Sequence, residues 1–349
     1  MKPPNTSTYT RQSAEDYTAK SVMVDEEIED NLNFSLLSRL FVPMTSSSYP
    51  EISIPGSPVV PNMVDGTHSI QFSCHQGISC WNACCANIDI SLTPYDVLRL
   101  KTRLNVASAV FLKEYTVPYE LEKDDIAGVK FRPVDNGTAC RFMRPEGCSV
   151  YEDRPTACRY YPVALLSMRK QDEYVDRDAY ALVEEPHCLG HKEPRTLTID
   201  AYRTEQGVSE YDELAHGWRQ LILKKKSCGP AIGKPSLKSR QLFFMACYDV
   251  DTFRAFVSSE GFGKLFKLTD EERAMLMAED VELMLFAFRF LKQVLFGEQS
   301  IELDEATAKE RLDAWRERQA IIEREAAQKL MNAEESMIEA TDECAEGND

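Results

Sequence analysis

The chain has no run of about 20 apolar residues, the length that a helix needs to cross a bilayer. Its most apolar stretch, residues 281–296, is interrupted by Glu282, Arg289 and Lys292. The N-terminus also lacks the apolar segment of a secretory signal, since it reads MKPPNTSTYTRQSAEDY. We therefore expect a cytoplasmic protein that does not enter a membrane.

Positive charge is scarce as well. The chain has 40 Lys and Arg against 57 Asp and Glu, which gives a net charge of −17. This balance opposes binding to nucleic acid phosphates, so we expect no nucleic acid partner. Residues 298–349 alone carry 16 Asp and Glu against six Lys and Arg. We expect this acidic tail to be either solvated or completed by a protein partner that is still unknown.

Several motifs of known enzymes are missing. Gly261-Phe-Gly263 is an isolated pair of glycines between helical patterns, which does not fit a Rossmann-type nucleotide site. A radical S-adenosylmethionine spacing fails because Asn87 occupies the third cysteine position after Cys80 and Cys84. No two cysteines stand in the C-x2-C knuckle that is typical of structural zinc. The motifs therefore leave open whether the protein is an enzyme.

Cysteine, by contrast, is abundant and clustered. Eight of the 11 cysteines lie between positions 74 and 188, as Cys74, Cys80, Cys84, Cys85, Cys140, Cys148, Cys158 and Cys188. A disulfide framework fits poorly, because disulfide-dense chains are small and secreted whereas this chain has 349 residues. Thiolates are soft ligands that select zinc, copper(I) or iron–sulfur iron. The sequence therefore predicts that these eight cysteines are metal ligands.

The second half of this region carries a long motif. It reads Tyr151-x2-Arg154-Pro155-x2-Cys158-Arg159-x2-Pro162, downstream of Cys80-x3-Cys84-Cys85. Together these residues resemble the CxxCxxCC cysteine-cluster family of bacterial proteins, also called YkgJ-like, which includes the flagellin lysine-N-methylases. The resemblance is strong over residues 70–205 and loose over 240–297. The spacing departs from the family at Cys74-x5-Cys80, so Cys74 is the weakest candidate ligand and His75 is its alternative.

The resemblance implies a bound zinc or iron, with an iron–sulfur cluster implied for the lysine methylases. Irregular cysteine spacing and long loops favour an iron–sulfur cluster, most simply [4Fe–4S], and zinc remains the alternative. Eight thiolates also suffice for two four-thiolate sites. We interpret the protein as a cluster-binding protein with a structural, redox or electron-handling role. The alternative is a cluster-dependent protein-lysine N-methyltransferase, which alone would require S-adenosylmethionine.

Two arginines of the motif are candidate cofactor-binding residues. Arg154 and Arg159 are cationic and can offset the negative charge of a thiolate-bound metal. The interpretation that we weigh more heavily is that both order the cysteine loops by donating to backbone carbonyls. We take tyrosines near the cysteines, such as Tyr161, as packing residues.

The overall pattern predicts an α+β fold that is mainly α. A cysteine-rich metal-binding region with short strands and long loops precedes a helical C-terminal region. We divide the chain into an extended or partly disordered segment (1–66, with one short helix near 26–40), a cysteine-cluster domain (67–205), a linker and helical region packed on it (206–297), and an acidic helical tail (298–349).

Local signals place several elements. Thr93 before Pro94 predicts a helix start, and Thr269 before acidic residues predicts another. Gly297 predicts the end of a largely buried helix over 281–296. Short strands are predicted over 129–132, 163–168 and 180–183.

Overall fold

Helices dominate the part of the chain that the structure, a computed structural model, describes: residues 64–121, 126–168, 177–227 and 236–346. The α-helices there are α1 (Pro94–Leu104), α2 (Ser108–Tyr115), α3 (Thr156–Tyr160), α4 (Ile199–Gln206), α5 (Val208–Ser227), α6 (Leu237–Tyr248), α7 (Val250–Val257), α8 (Glu260–Leu265), α9 (Asp270–Ala278), α10 (Asp280–Phe296) and α11 (Glu305–Glu346). The predicted mainly helical α+β class is confirmed. The helix predicted near 26–40 lies outside the described residues.

The strands are short and form small antiparallel sheets. They are β1 (Ser69–Gln71), β2 (Ser91–Leu92), β3 (Thr116–Leu121), β4 (Ile126–Phe131), β5 (Met143–Arg144), β6 (Gly147–Cys148), β7 (Val163–Met168), β8 (Arg177–Leu182), β9 (Thr196–Thr198), β10 (Phe266–Lys267) and β11 (Glu302–Leu303). The pairs are β1 with β9, β5 with β6, β7 with β8 and β10 with β11, while β4 lies between β2 and β3. All three predicted strands are therefore present, as β4, β7 and β8.

The predicted helix boundaries are confirmed at three positions. Thr93 caps α1 by accepting a hydrogen bond from Asp96 N at 3.1 Å, and the Asp96 side chain accepts from Thr93 N in return. Thr269 and Glu272 form the same reciprocal box at the start of α9. Gly297 ends α10 with a φ of 70°, a left-handed conformation in which a residue without Cβ is favoured.

Two groups of buried apolar residues hold the fold together. The larger group, called the main core, draws buried side chains from α1, α2, β4 and the region from α5 to Ile301. The smaller group, called the small core, consists of Ile70, Phe72, Tyr160, Val163, Tyr180, Ile199, Tyr202 and Val208. The main core thus takes residues from both sides of the predicted boundary at 205, and the division into separable domains stays a prediction.

The first part of the acidic tail packs against the main core. Ile301 is 6% exposed within the main core, and Leu312 packs against that core. The Gln293 side chain accepts a hydrogen bond from Ile301 N at 2.7 Å and donates to Ile301 O at 3.0 Å. Farther along α11, Ile321 and Ile322 are exposed. In the described ranges, we find no helix with the length and apolarity to cross a bilayer.

Candidate metal centre

The first four cysteines lie on an irregular segment between β1 and β2. Cys84 and Cys85 lie in a single 3₁₀ turn, Ala83–Cys85, which presents neighbouring side chains in different directions. Their Sγ atoms are nevertheless 3.9 Å apart. Backbone bonds from Trp81 N to Ile78 O and from Ala83 N to Cys80 O keep this segment tightly turned.

A short hairpin positions two further thiols. Cys148 is in β6 and pairs with Met143 of β5, while Met143 N donates to the carbonyl of Cys140 at 3.1 Å. Cys140 N donates to the carbonyl of Cys85 at 2.8 Å, so the hairpin lies directly against the first cysteine segment. Cys85 and Cys140, which are 55 positions apart in sequence, are thus joined by a backbone hydrogen bond.

The last two cysteines come from a helix and a turn. Cys158 lies in the middle of α3, which follows Pro155. Cys188 N donates to Glu185 O at 2.9 Å, and the next residue, Leu189, donates its N–H to Cys80 Sγ at 3.3 Å. The turn that carries Cys188 therefore contacts the first cysteine segment at Cys80, whereas the segment leading into the hairpin contacts it at Cys85.

None of the eight cysteines forms a disulfide. All are free thiols; Cys74 and Cys84 are exposed and the other six are half-buried. Burial, together with the charges of Cys84, Cys80 and Cys188, raises the pKa of Cys74 to about 11, and burial is the largest cause. These thiols are therefore close enough to oppose one another's ionisation.

The thiols near the hairpin affect one another in the same way. Burial raises the pKa of Cys158, and the charges of Cys140 and Cys148 add to the rise. Burial also raises the pKa of Cys140, again with a contribution from Cys148. A bound cation would relieve this repulsion, because it stabilises the thiolate form that a metal requires.

The adjacent pair titrates as a unit. A hydrogen bond between the two sulfurs lowers the pKa of Cys84 to about 7, and the same contact raises the pKa of Cys85. The first ionisation of this pair is thus easier than that of an isolated thiol. Ionising both at once is opposed because two negative charges would stand side by side.

The donor chemistry fits a soft metal, and the arrangement is open. Across the described ranges, no three His, Cys, Asp or Glu side chains are grouped closely enough to hold one ion as they stand. The side chains that match a soft metal in chemistry are the eight free thiols. Binding would therefore have to bring several of these thiols closer together.

Comparison with known proteins agrees with the thiol chemistry. Residues 73–188 match the CxxCxxCC family model. That family is described as a "putative zinc- or iron-chelating domain". The match begins just before Cys74 and ends at Cys188, so it contains all eight candidate ligands and confirms the resemblance read from the sequence. No curated protein and no solved structure matches the chain.

The motif arginines of the CxxCxxCC region bind backbone carbonyls. Buried Arg159 donates to the carbonyls of Arg154 at 3.0 Å, Gln206 at 2.8 Å and Glu152, and to Tyr211 Oη at 3.0 Å. Arg154 donates to Tyr151 O at 2.8 Å and to Gln206 Oε1 at 2.7 Å. These bonds fit the interpretation that both arginines order the cysteine loops. Direct cofactor binding by Arg154 and Arg159 stays a prediction.

Asp96 is a buried contact of the CxxCxxCC region that sequence reasoning missed. Its Oδ1 accepts hydrogen bonds from Thr156 N and Thr156 Oγ1, both at 2.8 Å, and so fixes the start of the helix that carries Cys158. Burial raises the pKa of Asp96, and its hydrogen bonds with Thr93 and Thr156 act in the opposite direction. The helix-start signal at Thr93 points to Asp96 as a capping residue, but nothing in the sequence pairs it with Thr156.

Histidines near the thiols have other contacts. His75 Nε2 lies 3.5 Å from Glu193, and His187 Nε2 lies 3.5 Å from Glu185. His191 Nε2 is 3.1 Å from the carbonyl of Val183. Burial raises the pKa of Tyr161, and neighbouring Cys188 and Glu185 raise it further, which places this tyrosine beside the CxxCxxCC thiols. His75 as the alternative to Cys74 stays a prediction.

Proposed function

We propose that residues 73–188 bind an iron–sulfur cluster through cysteine thiolates, in a structural or electron-handling role. The observation that carries the proposal is the gathering of eight free thiols from several separate segments, with no disulfide among them. The family description, zinc or iron chelation, supports metal binding in general. The two arguments that follow concern the spacing of the sulfurs, which favours an iron–sulfur cluster over zinc, and the charge of the site, which fits either metal.

The first argument is the spacing of the sulfurs. Four thiolates on one tetrahedral zinc ion stand about 3.8 Å from one another, given a Zn–S bond of about 2.3 Å. Cys84 and Cys85 have that separation, but within the described ranges no third ligand joins them. Each thiolate of a [4Fe–4S] cluster binds a different iron, so its ligands stand farther apart. The open arrangement supports a cluster more than a single zinc ion.

The second argument is charge. A four-thiolate [4Fe–4S] cluster and a four-thiolate zinc site both carry about −2, which nearby cations can offset. Although burial raises the pKa of Cys148, Arg154 and Arg144 act to lower it, so both arginines lie within electrostatic reach of a ligand. Arg144 also donates to the carbonyls of Arg141 and Met143, which holds its charge at the hairpin.

The role follows from where the thiols lie. Cys140 and Cys148 pack against the main core, whereas Cys188 packs against the small core. A metal bound on either core would hold thiols from separate loops together, so its binding free energy would stabilise the fold. An iron–sulfur cluster also supplies one-electron transfer when bound. A reducing compartment such as the cytoplasm suits eight free thiols.

The test is the composition of the anaerobically purified protein. We expect a brown protein that contains iron and acid-labile sulfide in similar amounts, with broad visible absorption. Cys247→Ala is the matched control, because Cys247 is a free thiol buried in the main core away from the eight cysteines. It should keep the full iron and sulfide content.

A colourless protein with stoichiometric zinc would contradict the cluster and leave thiolate metal binding in place. A protein that takes up neither metal would contradict the proposal as a whole. The lysine methylase alternative rests on the family resemblance alone, and we do not propose it here.

A further inference from the structure

We propose that the eight thiols form two metal centres rather than one. The outer centre comprises Cys74, Cys80, Cys84 and Cys188, and the inner centre comprises Cys85, Cys140, Cys148 and Cys158. The inference rests on the proposed function, because it divides the same thiols. It is carried by the backbone contacts, the packing and the exposure of the residues concerned.

The outer centre is held together by contacts between the segment after β1 and the turn at Cys188. Ser73 N donates to the carbonyl of Gly190 at 3.1 Å, which places Cys74 beside that turn. Leu189 N donates to Cys80 Sγ at 3.3 Å, which places Cys80 there as well. An N–H···S bond to a thiolate ligand is a common outer-shell contact of bound metal sulfur sites. Three of the four outer cysteines thus lie on segments that meet at residues 188–190.

The inner centre is organised by the hairpin β5–β6. Cys140 N bonds to the carbonyl of Cys85, and Cys148 stands opposite Met143, three residues beyond Cys140. Cys158 reaches the same side from α3, whose first residue is fixed by Asp96. These contacts are separate from those of residues 188–190.

The two sets of thiols also lie on different cores. Cys140 and Cys148 pack against the main core, and Cys188 packs against the small core. Gly190 lies so close to the small core that an added Cβ would stand 2.5 Å from Phe72. The two centres would therefore be anchored in different cores, through Cys140 and Cys148 in one case and Cys188 in the other.

The adjacent pair marks the junction between the centres. Cys85 is half-buried and bonded through its carbonyl to Cys140, whereas Cys84 is exposed. Assigning one sulfur of the pair to each set gives four thiolates to each centre, the number that a [4Fe–4S] cluster or a structural zinc ion takes. With Cys84 and Cys74 both exposed, the outer centre is the more accessible of the two.

The test compares Cys188→Ser with Cys148→Ser, and Cys247→Ala is the control. Iron content is measured on anaerobically purified protein, and the thiols protected from alkylation are identified by peptide mass spectrometry. In Cys188→Ser we expect metal content to fall to about half, with Cys74, Cys80 and Cys84 becoming reactive while the four inner thiols stay protected. The control should match the wild type in both measurements.

Cys148→Ser is the reciprocal variant, and it carries the risk of unfolding because Cys148 packs on the main core. A second measurement therefore uses the wild-type protein. Under a limiting concentration of an iron chelator, we expect the four outer thiols to become reactive first, at about half of the original metal content.

Two results would overturn the inference. Loss of all metal in the folded Cys188→Ser variant, or exposure of all eight thiols together on chelation, would show one shared centre while leaving the proposed function intact. Absence of metal and of thiol protection in the wild type would overturn the proposed function as well. The two failures are therefore distinguishable.

Discussion

Asp96 links two parts of the chain that are 60 residues apart. One carboxylate oxygen caps α1 through Thr93 N at 2.8 Å, and the other accepts both hydrogen bonds from Thr156. The side chain is completely buried, so water cannot replace these bonds if they are lost. A single residue thus couples a helix of the main core to the helix that carries Cys158.

We predict that Asp96→Ala destabilises the protein by about 2–4 kcal/mol, because it leaves buried donors of Thr93 and Thr156 without partners. It should also lower metal content, since α3 loses its fixed start. The measurements are urea unfolding and metal analysis of the same preparation.

The matched control for Asp96→Ala is Glu272→Ala, which removes the equivalent side chain from the capping box of α9. Thr269 N, which donates to Glu272, is accessible to water there, so we expect a loss of no more than about 1 kcal/mol and unchanged metal content. Equal effects of the two substitutions would show that the Asp96–Thr156 contact contributes nothing beyond helix capping.

At the scale of helices, α5 and α10 approach closely at Gly217. A Cβ added at Gly217 would stand 2.8 Å from the Phe288 ring, closer than real Cβ contacts allow. Phe288 is buried in the main core and has little room to move. The absence of a side chain at this point therefore sets the distance between the two helices.

We predict that Gly217→Ala destabilises the protein by about 1–2 kcal/mol, although alanine is the better helix former by about 1 kcal/mol. Gly263→Ala in α8 is the control, because its nearest neighbour would be Arg273 Nη2 at 3.5 Å, an ordinary contact. The control should be neutral or slightly stabilising in thermal unfolding. Stabilisation by both substitutions would show that Phe288 moves aside at no cost.

The helix ends and the contacts between helices also show which features of the fold could be predicted from the sequence. The cap at Thr93 and the helix end at Gly297 were predictable because each depends on residues within one turn of the chain. The eight thiols were predictable as a group because their chemistry is unusual. The Asp96–Thr156 contact and the close approach of Gly217 to Phe288 were not, since each depends on how distant segments pack.

At the scale of the whole molecule, the acidic tail has two parts. Its first residues belong to the body, because β11 pairs with β10 and both Ile301 and Leu312 contact the main core. Beyond them α11 exposes Ile321 and Ile322. A basic protein partner for this outer part stays a proposal, which the charge of the tail supports.

We predict that two truncations differ. Deletion of residues 317–349 should leave thermal unfolding and metal content unchanged, since it removes only the part beyond Trp315. Deletion of residues 298–349 should cost about 3 kcal/mol or more, because it removes buried Ile301 and opens a cavity in the main core. Equal stability of the two truncated proteins would show that β11 and Leu312 add nothing to the body.

The pairing of β1 with β9 has a consequence for the order of events during synthesis. Ser69 pairs with Thr198, about 130 residues later, and the eight cysteines lie between these two strands in the sequence. The β1–β9 pair therefore cannot form until Thr198 has been translated. At roughly 5–20 residues per second, this leaves an interval of roughly 6–26 s. Closing a loop of this length also costs about 4 kcal/mol of chain entropy. During that interval the outer centre lacks both Cys188 and the β1–β9 pair, so we expect it to take up metal only after β9 has been translated.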